Sequence, residues 1–437
     1  MLSDSFSEYV EGLEVDNLED IDKKYKRITK KLNQSFWDLE SDEEHAHKVG
    51  SLGRGTAIKG ISDLDMLFIL PDALYTQYNN HEGNGQSKLL QRVKEVIKAT
   101  YPRTIVRGDG QVVVVSFSNY QIEVCPCFSE NDGSFTYPDS NNGGKWKKTD
   151  PMPEIRESLA MTVDTDTHYR YICNMMRAWK NEAGFKFGGL LIDTLVYDFF
   201  EEYADYKECS FEDYLPILKD LFAYLKNQSE TRKYWLALGS NQQVYDKKKT
   251  FIKKAKKAHG KLELLSEESE EIYDILQELF GQGFPAPEGV QEVTKSAFAS
   301  YEYSKTEQFI EKLFPVDIRY SLSINANVLQ DGFREGSLSD FIMKRFPLKT
   351  KKQLKFYIEQ NEVAELELPY TVYWKVRNVG IEAVKRNMIR GEISQDTGNE
   401  QITETTDFRG SHYVDCYIIH NEVCVAKDRI KVPIAIA

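Results

Sequence analysis

No stretch of this sequence approaches the roughly 20 consecutive apolar residues that a membrane-spanning helix needs, so no such helix is expected. Cysteine is scarce. The six residues lack regular spacing, which argues against a disulfide framework and fits a reducing cytoplasm. Cys125 and Cys127 stand two apart, but no second pair completes a zinc site, and they read as small buried strand residues. Positive charge is in deficit: 56 Lys and Arg face 69 Asp and Glu, a formal net charge of −13. General DNA coating depends on neutralising phosphates with basic side chains, so it is excluded, and any nucleotide chemistry needs a locally basic site. The opening residues lack the charged-then-apolar layout of a signal peptide, so secretion is not expected. Internal repeats and low-complexity tracts are absent as well.

What remains is an ordinary globular composition, 41% hydrophobic and 29% charged over 437 residues, enough for two to four domains or sub-domains. Ile21, Tyr25, Ile28, Leu32 and Phe36 recur at helical spacing and predict an amphipathic helix over 17–40, with Asn17 as N-cap. Residues 64–70 form a short apolar run suited to a buried strand. Leu89, Leu90, Val93, Val96 and Ile97 mark the inner face of a second helix over 87–99. Strand-like pieces follow at 104–107, 111–117 and 120–125. This order describes a small mixed sheet backed by helices. The segment 129–151, rich in Asn, Asp, Gly and Pro, reads as a loop long enough to be functional. Residues 165–283 are mostly helical in pattern, and 284–306 reads as a junction. After 307, alternation at Tyr370–Val376, His412–Ile419, Glu422–Ala426 and Ile430–Ile436 predicts a β-rich domain.

The chemistry-bearing feature is the pair Asp63 and Asp65 at the start of the apolar strand. Side chains at i and i+2 share one face of a strand, so the two carboxylates converge. Unpaired, they repel each other and are costly to desolvate. A divalent cation removes that cost, and hard oxygen donors favour Mg²⁺ or Mn²⁺. Gly50 and Ser51 lie upstream, with eleven residues between Ser51 and Asp63. A glycine turn with a serine hydroxyl makes a nest for an anion such as a triphosphate. Glu123, charged amid apolar strand residues, wants a partner that a shared metal supplies. Three carboxylates can hold two metals, which is the arrangement for in-line phosphoryl transfer.

The Gly-Ser turn, its spacer and the Asp63-Leu64-Asp65-Met66 strand resemble the signature of the DNA polymerase β-like nucleotidyltransferases, and within them the cGAS/DncV-like (SMODS) group of bacterial anti-phage systems. The run Ile122-Glu123-Val124-Cys125-Pro126 resembles that group's third-carboxylate strand, with Glu in place of the commoner Asp. Thr136-Tyr137-Pro138-Asp139, Gly144-Lys145-Trp146 and Thr149-Asp150-Pro151 resemble its nucleotide-facing segment. Arg177-Ala178-Trp179-Lys180 and Gly188 to Leu195 resemble its helical core. Phe314 to Tyr320, Trp374 to Gly380, Ile389-Arg390-Gly391 and Gly410 to Tyr417 resemble the adenylyl/guanylyl and SMODS C-terminal sensor.

The resemblance implies an α/β (α+β) fold. Residues 1–164 would be the polymerase β-like catalytic core with an N-terminal helix, and 165–283 a helical sub-domain completing the nucleotide cleft. After the 284–306 junction, 307–437 would be a β-rich sensor domain, expected as a β-sandwich. The implied reaction makes cyclic or short linear oligonucleotide signals from nucleoside triphosphates, with two Mg²⁺ or Mn²⁺ ions as cofactor. A neighbouring effector would answer the product, and an unidentified ligand would act on the sensor. Transfer to a protein hydroxyl or a growing strand is the alternative within the same chemistry. An inactive nucleotide-binding sensor is the alternative of another class.

In the family a basic residue on the helix that holds Arg177 and Lys180 meets the phosphates. Both are candidates, as is a solvated helix face. Trp146 suits base stacking or the anchoring of its loop. Ser240 and Asn241, ahead of the lysine-rich stretch 247–257, are candidates to face nucleotide, and that stretch either attracts nucleotides or is a solvated helix face. Trp374, Lys375, Arg377, Arg390 and His412 are expected around the sensor's ligand, though their alternation equally describes a half-exposed sheet.

Overall fold

A computed structural model describes residues 1–60, 63–118, 120–287, 306–329, 335–346 and 348–434. The chain divides into two units, Met1–Ala178 with Gly188–Ile272, and Trp179–Phe187 with Tyr273–Ala437.

In the first unit two helices, α1 (Leu2–Gly12) and α2 (Leu18–Phe36), precede a mixed sheet. Its members are β1 (Ala46–Lys48), β2 (Asp63–Ile69), β3 (Ile105–Asp109), β4 (Val112–Ser116), β5 (Gln121–Ser129), β6 (Phe135–Asp139) and β7 (Lys145–Thr149). Strand order is β1-β2-β5-β4-β3, with β6 and β7 continuing from the far end of β5. The short α3 (Gly50–Gly53) lies between β1 and β2, and α4 (Asp72–Asn79) and α5 (Gly85–Thr100) lie between β2 and β3. β2 runs parallel to β5, a pairing that needs a crossover of this length.

The period-2 alternation of β2 and β5 sorts their residues. Leu64, Met66, Phe68, Ile122, Val124 and Phe128 join the core with Ile21, Ile28 and Leu32 of α2 and Leu89, Val93 and Ile97 of α5. The apolar stripes read from helical spacing are thus the faces that cover the sheet. Asn84, one residue before α5, accepts the Ser87 amide and caps that helix. Asn17 occupies the N-cap position of α2 but makes no side-chain cap bond.

The segment 129–151 is not the loop its composition suggests. It folds into the β6–β7 hairpin, with Phe135 opposite Thr149 and Pro138 opposite Trp146. Asn141–Gly143 makes the turn. Asn141, Asn142, Lys145 and Lys148 are exposed, while Phe135 packs with Val49, Leu67 and Cys127.

Beyond it come α6 (Pro151–Asp164), α7 (His168–Ala183), α8 (Gly189–Glu202) and α9 (Tyr214–Lys226). A two-strand ribbon, β8 (Trp235–Leu236) with β9 (Gln243–Val244), precedes α10 (Thr250–Leu262). The apolar stripe of α10, Phe251, Ile252, Ala255, Ala258 and Leu262, is buried. Lys247, Lys253, Lys256 and Lys257 are exposed. No helix among the described residues is long and apolar enough to cross a membrane.

The second unit starts with the last turn of α7 and resumes at α11 (Ile272–Phe280). The expected junction at 284–306 lies, apart from its ends, outside the described residues. The unit's strands are β10 (Leu322–Leu329), β11 (Gly336–Ser337), β12 (Gln353–Asn361), β13 (Thr371–Arg377), β14 (Arg390–Gln395), β15 (Gln401–Thr405), β16 (Gly410–His420) and β17 (Val423–Ile434). They form two four-stranded sheets, β11-β10-β12-β15 and β14-β13-β16-β17. Ile324, Ala326 and Phe356 of one share a core with Trp374, Val414, Cys416 and Val425 of the other, the construction of a β-sandwich. The two pieces expected at 422–426 and 430–436 are one strand, β17, so far as it is described. Its interior Lys427, Asp428 and Arg429 interrupt the apolar pattern without interrupting pairing to β16. As an edge strand β17 also tolerates Pro433.

Phe68 is fully buried between sheet and helices. Phe68→Ala is expected to lower stability by about 3–5 kcal/mol, read from the urea unfolding midpoint.

Candidate active site

The alternation that buries Leu64 and Met66 turns Asp63 and Asp65 to the opposite face of the sheet. In the parallel register Asp65 pairs with Glu123, and Asp63 with Gln121. Asp63, Asp65 and Glu123 each offer an oxygen, and the three lie within 4.8 Å of one another, all half-buried. Gln121 donates to Glu123 at 2.9 Å. Three carboxylates at this spacing give a hard, anionic oxygen donor set, which fits Mg²⁺ or Mn²⁺. Cys125 follows on the same strand. Burial, then Asp65 and Glu123, push its thiol up to about 12.

The turn at Gly50 is fitted to this face. Gly50 has φ +64°, and a Cβ there would stand 2.0 Å from an Asp65 carboxylate oxygen. Only glycine meets both conditions. The Val49 amide donates to the Asp65 carbonyl at 2.9 Å, tying the turn to the strand. The leading amides of α3, at Gly50 and Ser51, have no acceptor within the helix.

Arg177 and Lys180, both candidates for phosphate contact, have protein partners instead. Arg177 is buried, and its guanidinium donates to both oxygens of Asp193 at 2.6 and 2.9 Å. It also donates to the Thr56 hydroxyl at 3.0 Å. Arg54 Nε and the Thr56 hydroxyl reach the same Asp193 oxygen, each at 2.8 Å. Burial would push the Asp193 carboxyl up, but Arg177 and Arg54 outweigh it and hold it below its ordinary value. Lys180, within the second unit, donates to Asp317 at 3.0 Å and to the Ile318 carbonyl at 2.7 Å. A cation so enclosed needs a fixed acceptor, and protein groups supply it in both cases.

Trp146 anchors its hairpin. Its ring lies 4.9 Å from Tyr75 and 5.7 Å from Phe128, and its Nε1 donates to Asn79 at 3.0 Å. Ser240 and Asn241 form the turn between β8 and β9. The Ser240 hydroxyl donates to Glu154 at 2.9 Å, and Gln242 donates to the same oxygen at 3.0 Å. Asn241 is exposed at φ +57°.

The five residues expected around a sensor ligand do not gather in one pocket, because strand alternation sends neighbours to opposite faces. Trp374 enters the sandwich core and donates to Asp396 at 3.1 Å. Lys375 and Arg377 point the other way and hold Glu307, at 3.0 and 2.9 Å. Arg390 and His412 line a separate cavity with Phe356, Met388, Glu404 and Phe408. There Arg390 forks onto Glu404 at 2.6 and 2.9 Å. His412 accepts the Val379 amide and meets the Phe408 carbonyl. Burial lowers its pKa against the opposing effect of that carbonyl.

Sequence reasoning passed over Arg54, Thr56, Glu154 and, as a functional residue, Asp193. A signal for the last was present: a lone carboxylate inside the apolar run Leu190 to Val196 demands buried cations.

Residues 1–160 match the family described as Second Messenger Oligonucleotide or Dinucleotide Synthetase domain. Residues 304–435 match the Adenylyl/Guanylyl and SMODS C-terminal sensor domain. A Bacillus cereus (strain VD146) protein described as "Probable cyclic nucleotide synthase" is 22% identical over 205 residues. That alignment covers 40% of this chain and 60% of the relative's length. Among solved structures, CdnC of E. coli MS115-1 in complex with HORMA-deltaN gives a TM-score of 0.50 at 15% identity, covering 65% of this chain and 98% of that one. The same CdnC with ATP gives 0.49 at 16% identity, with the same coverage. At 15% identity the likeness to the HORMA-deltaN complex speaks of the fold alone.

The surroundings of Arg177 make a stability prediction that separates a structural cation from a phosphate-binding one. Arg177→Met leaves Asp193 buried with fewer donors and is expected to cost about 3–5 kcal/mol in urea unfolding. A cation serving only a solvent-facing phosphate would cost about 0–1 kcal/mol.

Proposed function

The chain belongs to the cGAS/DncV-like (SMODS) nucleotidyltransferases that carry a C-terminal adenylyl/guanylyl and SMODS sensor domain, and from that premise we propose that it joins nucleoside triphosphates into cyclic or short linear oligonucleotide signals. The observation that carries the reading is the convergence of Asp63, Asp65 and Glu123 within 4.8 Å, on the face where Gly50 packs against Asp65.

In this reaction a ribose hydroxyl oxygen attacks the α-phosphorus of a triphosphate. One P–O bond forms, the bond to the β-phosphate bridge breaks, pyrophosphate leaves and the hydroxyl proton is released. Divalent cations bound by the three carboxylates would lower the pKa of the attacking hydroxyl and neutralise the departing charge. Asp63, Asp65 and Glu123 have the donor chemistry to hold those ions. Amides of the Gly50–Ser51 turn and the Ser51 hydroxyl would cradle the phosphate tail. Sheet and hairpin fix the carboxylates before substrate arrives, so little rearrangement is needed at the moment of reaction. The sensor would set the rate by binding its ligand more tightly in the active state. The product would signal to a neighbouring effector in the cytoplasm, the arrangement that the family resemblance implies for phage defence.

The test is incubation with ribonucleoside triphosphates and Mg²⁺, with products resolved by mass. Wild-type protein is expected to yield a free cyclic or linear oligonucleotide. Asp63→Ala with Asp65→Ala should lower product by about 10³-fold or more while the circular dichroism spectrum is retained. Undiminished turnover in the folded double variant overturns the assignment. A nucleotide found on protein points to the alternative acceptor. Wild-type protein that binds a labelled triphosphate but forms no product is the inactive nucleotide-binding sensor of the other class.

A further inference from the structure

A buried carboxylate stands behind the Gly50–Ser51 turn, and the two-metal chemistry leaves it unused. Asp193 is fully buried on α8, flanked by Leu191, Ile192 and Leu195, themselves buried. Its two oxygens receive Arg54 Nε, the Thr56 hydroxyl and both terminal nitrogens of Arg177, at 2.6–2.9 Å. The neighbouring main chain closes the turn. The Arg54 amide donates to the Gly50 carbonyl at 3.1 Å, and the Thr56 amide to the Ser51 carbonyl at 2.9 Å. The Arg54 carbonyl is held in turn by the Ser158 hydroxyl at 2.8 Å.

Two of the three residues whose side chains Asp193 grips, Arg54 and Thr56, are therefore the ones whose amides bond to the Gly50 and Ser51 carbonyls. Gly50 packs directly on Asp65, so the path from Asp193 to the catalytic face is short and made of hydrogen bonds. A second arm leaves the same arginine. Arg54 lies 3.9 Å from Glu154, and Glu154 accepts Ser240 and Gln242 of the β8–β9 turn. The two turns expected to face nucleotide thus meet at one buried cluster.

We infer that Asp193 is a positioning residue: by clamping Arg54 and Thr56 it sets the Gly50–Ser51 turn, and hence the triphosphate, against the carboxylates. The inference rests on the proposed reaction for its kinetic consequence, while the clamp itself is readable without it. A carboxylate with this many charged donors has one stable orientation, and displacement of a phosphate by about 1 Å costs rate steeply.

Thr56 gives the cleanest test, because its hydroxyl donates to Asp193 and accepts from Arg177. Thr56→Val has nearly the same shape and removes both bonds while leaving every charge in place. Thr56→Ser keeps the hydroxyl. Thr56→Val is expected to lower kcat/KM for triphosphate about tenfold or more. Its Mn²⁺ affinity at the three carboxylates, titrated by electron paramagnetic resonance, should stay within about twofold of wild type. Thr56→Ser should restore kcat/KM. Wild-type kcat/KM in folded Thr56→Val overturns the inference, as does a loss that merely follows a parallel loss of Mn²⁺ binding. If wild-type protein neither binds nor consumes triphosphate, the proposed reaction fails, and amide exchange then judges the clamp. Faster exchange at Arg54 and Thr56 in Thr56→Val than in Thr56→Ser supports it, and equal exchange overturns it.

Discussion

Mutual repulsion among three carboxylates is the constraint around which the first unit is organised. Asp63 and Asp65 share a strand face by alternation, and the parallel register of β2 on β5 brings Glu123 opposite Asp65. Left to themselves such groups would push the two strands apart. The opposite face resists this, because Leu64, Met66, Ile122 and Val124 are wholly buried against α2 and α5. Hydrophobic burial on one side of the sheet thereby holds charge together on the other, and the stored repulsion favours any divalent cation that relieves it. Gly50 belongs to the same constraint, since its missing Cβ leaves the space an Asp65 oxygen takes.

Buried cations elsewhere obey a related rule. Arg54 and Arg177 are balanced by Asp193 in the first unit, and Lys375 and Arg377 by Glu307 in the second. Each acceptor is held ionised: burial opposes it, but the adjacent cations lower its pKa. Such clusters give geometry more than net stability. In the first unit the geometry delivered is that of the Gly50–Ser51 turn. In the second, Glu307 is drawn onto the outer face of the β14-β13-β16-β17 sheet, where Tyr413 also donates to it.

The sequence disclosed what depends on short spacings. The carboxylate pair needs only a period of two, and α2 and α5 only a period near 3.6, so site and core face were both readable. The buried partners around Arg177 and Lys180 were not legible for the converse reason. Arg54 meets Asp193 across 139 positions and Lys180 meets Asp317 across 137, pairings that no local pattern encodes. The β6–β7 hairpin was hidden by composition: its Asn, Gly and Pro residues read as loop, while the burial of Phe135 that makes it a hairpin is a tertiary fact. The sensor-side residues alternate correctly as strand, but alternation cannot tell which of Trp374 and Lys375 faces the core until the second sheet is in place.

The central claim is that Asp63, Asp65 and Glu123 together hold catalytic metal against a triphosphate seated on the Gly50–Ser51 turn. Crystals grown with Mn²⁺ and a non-hydrolysable triphosphate, read by anomalous scattering, test it most directly. The account predicts metal density with oxygens of all three carboxylates at about 2.1 Å, and the phosphate tail against the amides of Gly50 and Ser51. Metal bound elsewhere, or a triphosphate seated away from that turn with the three carboxylates empty of metal, would contradict it.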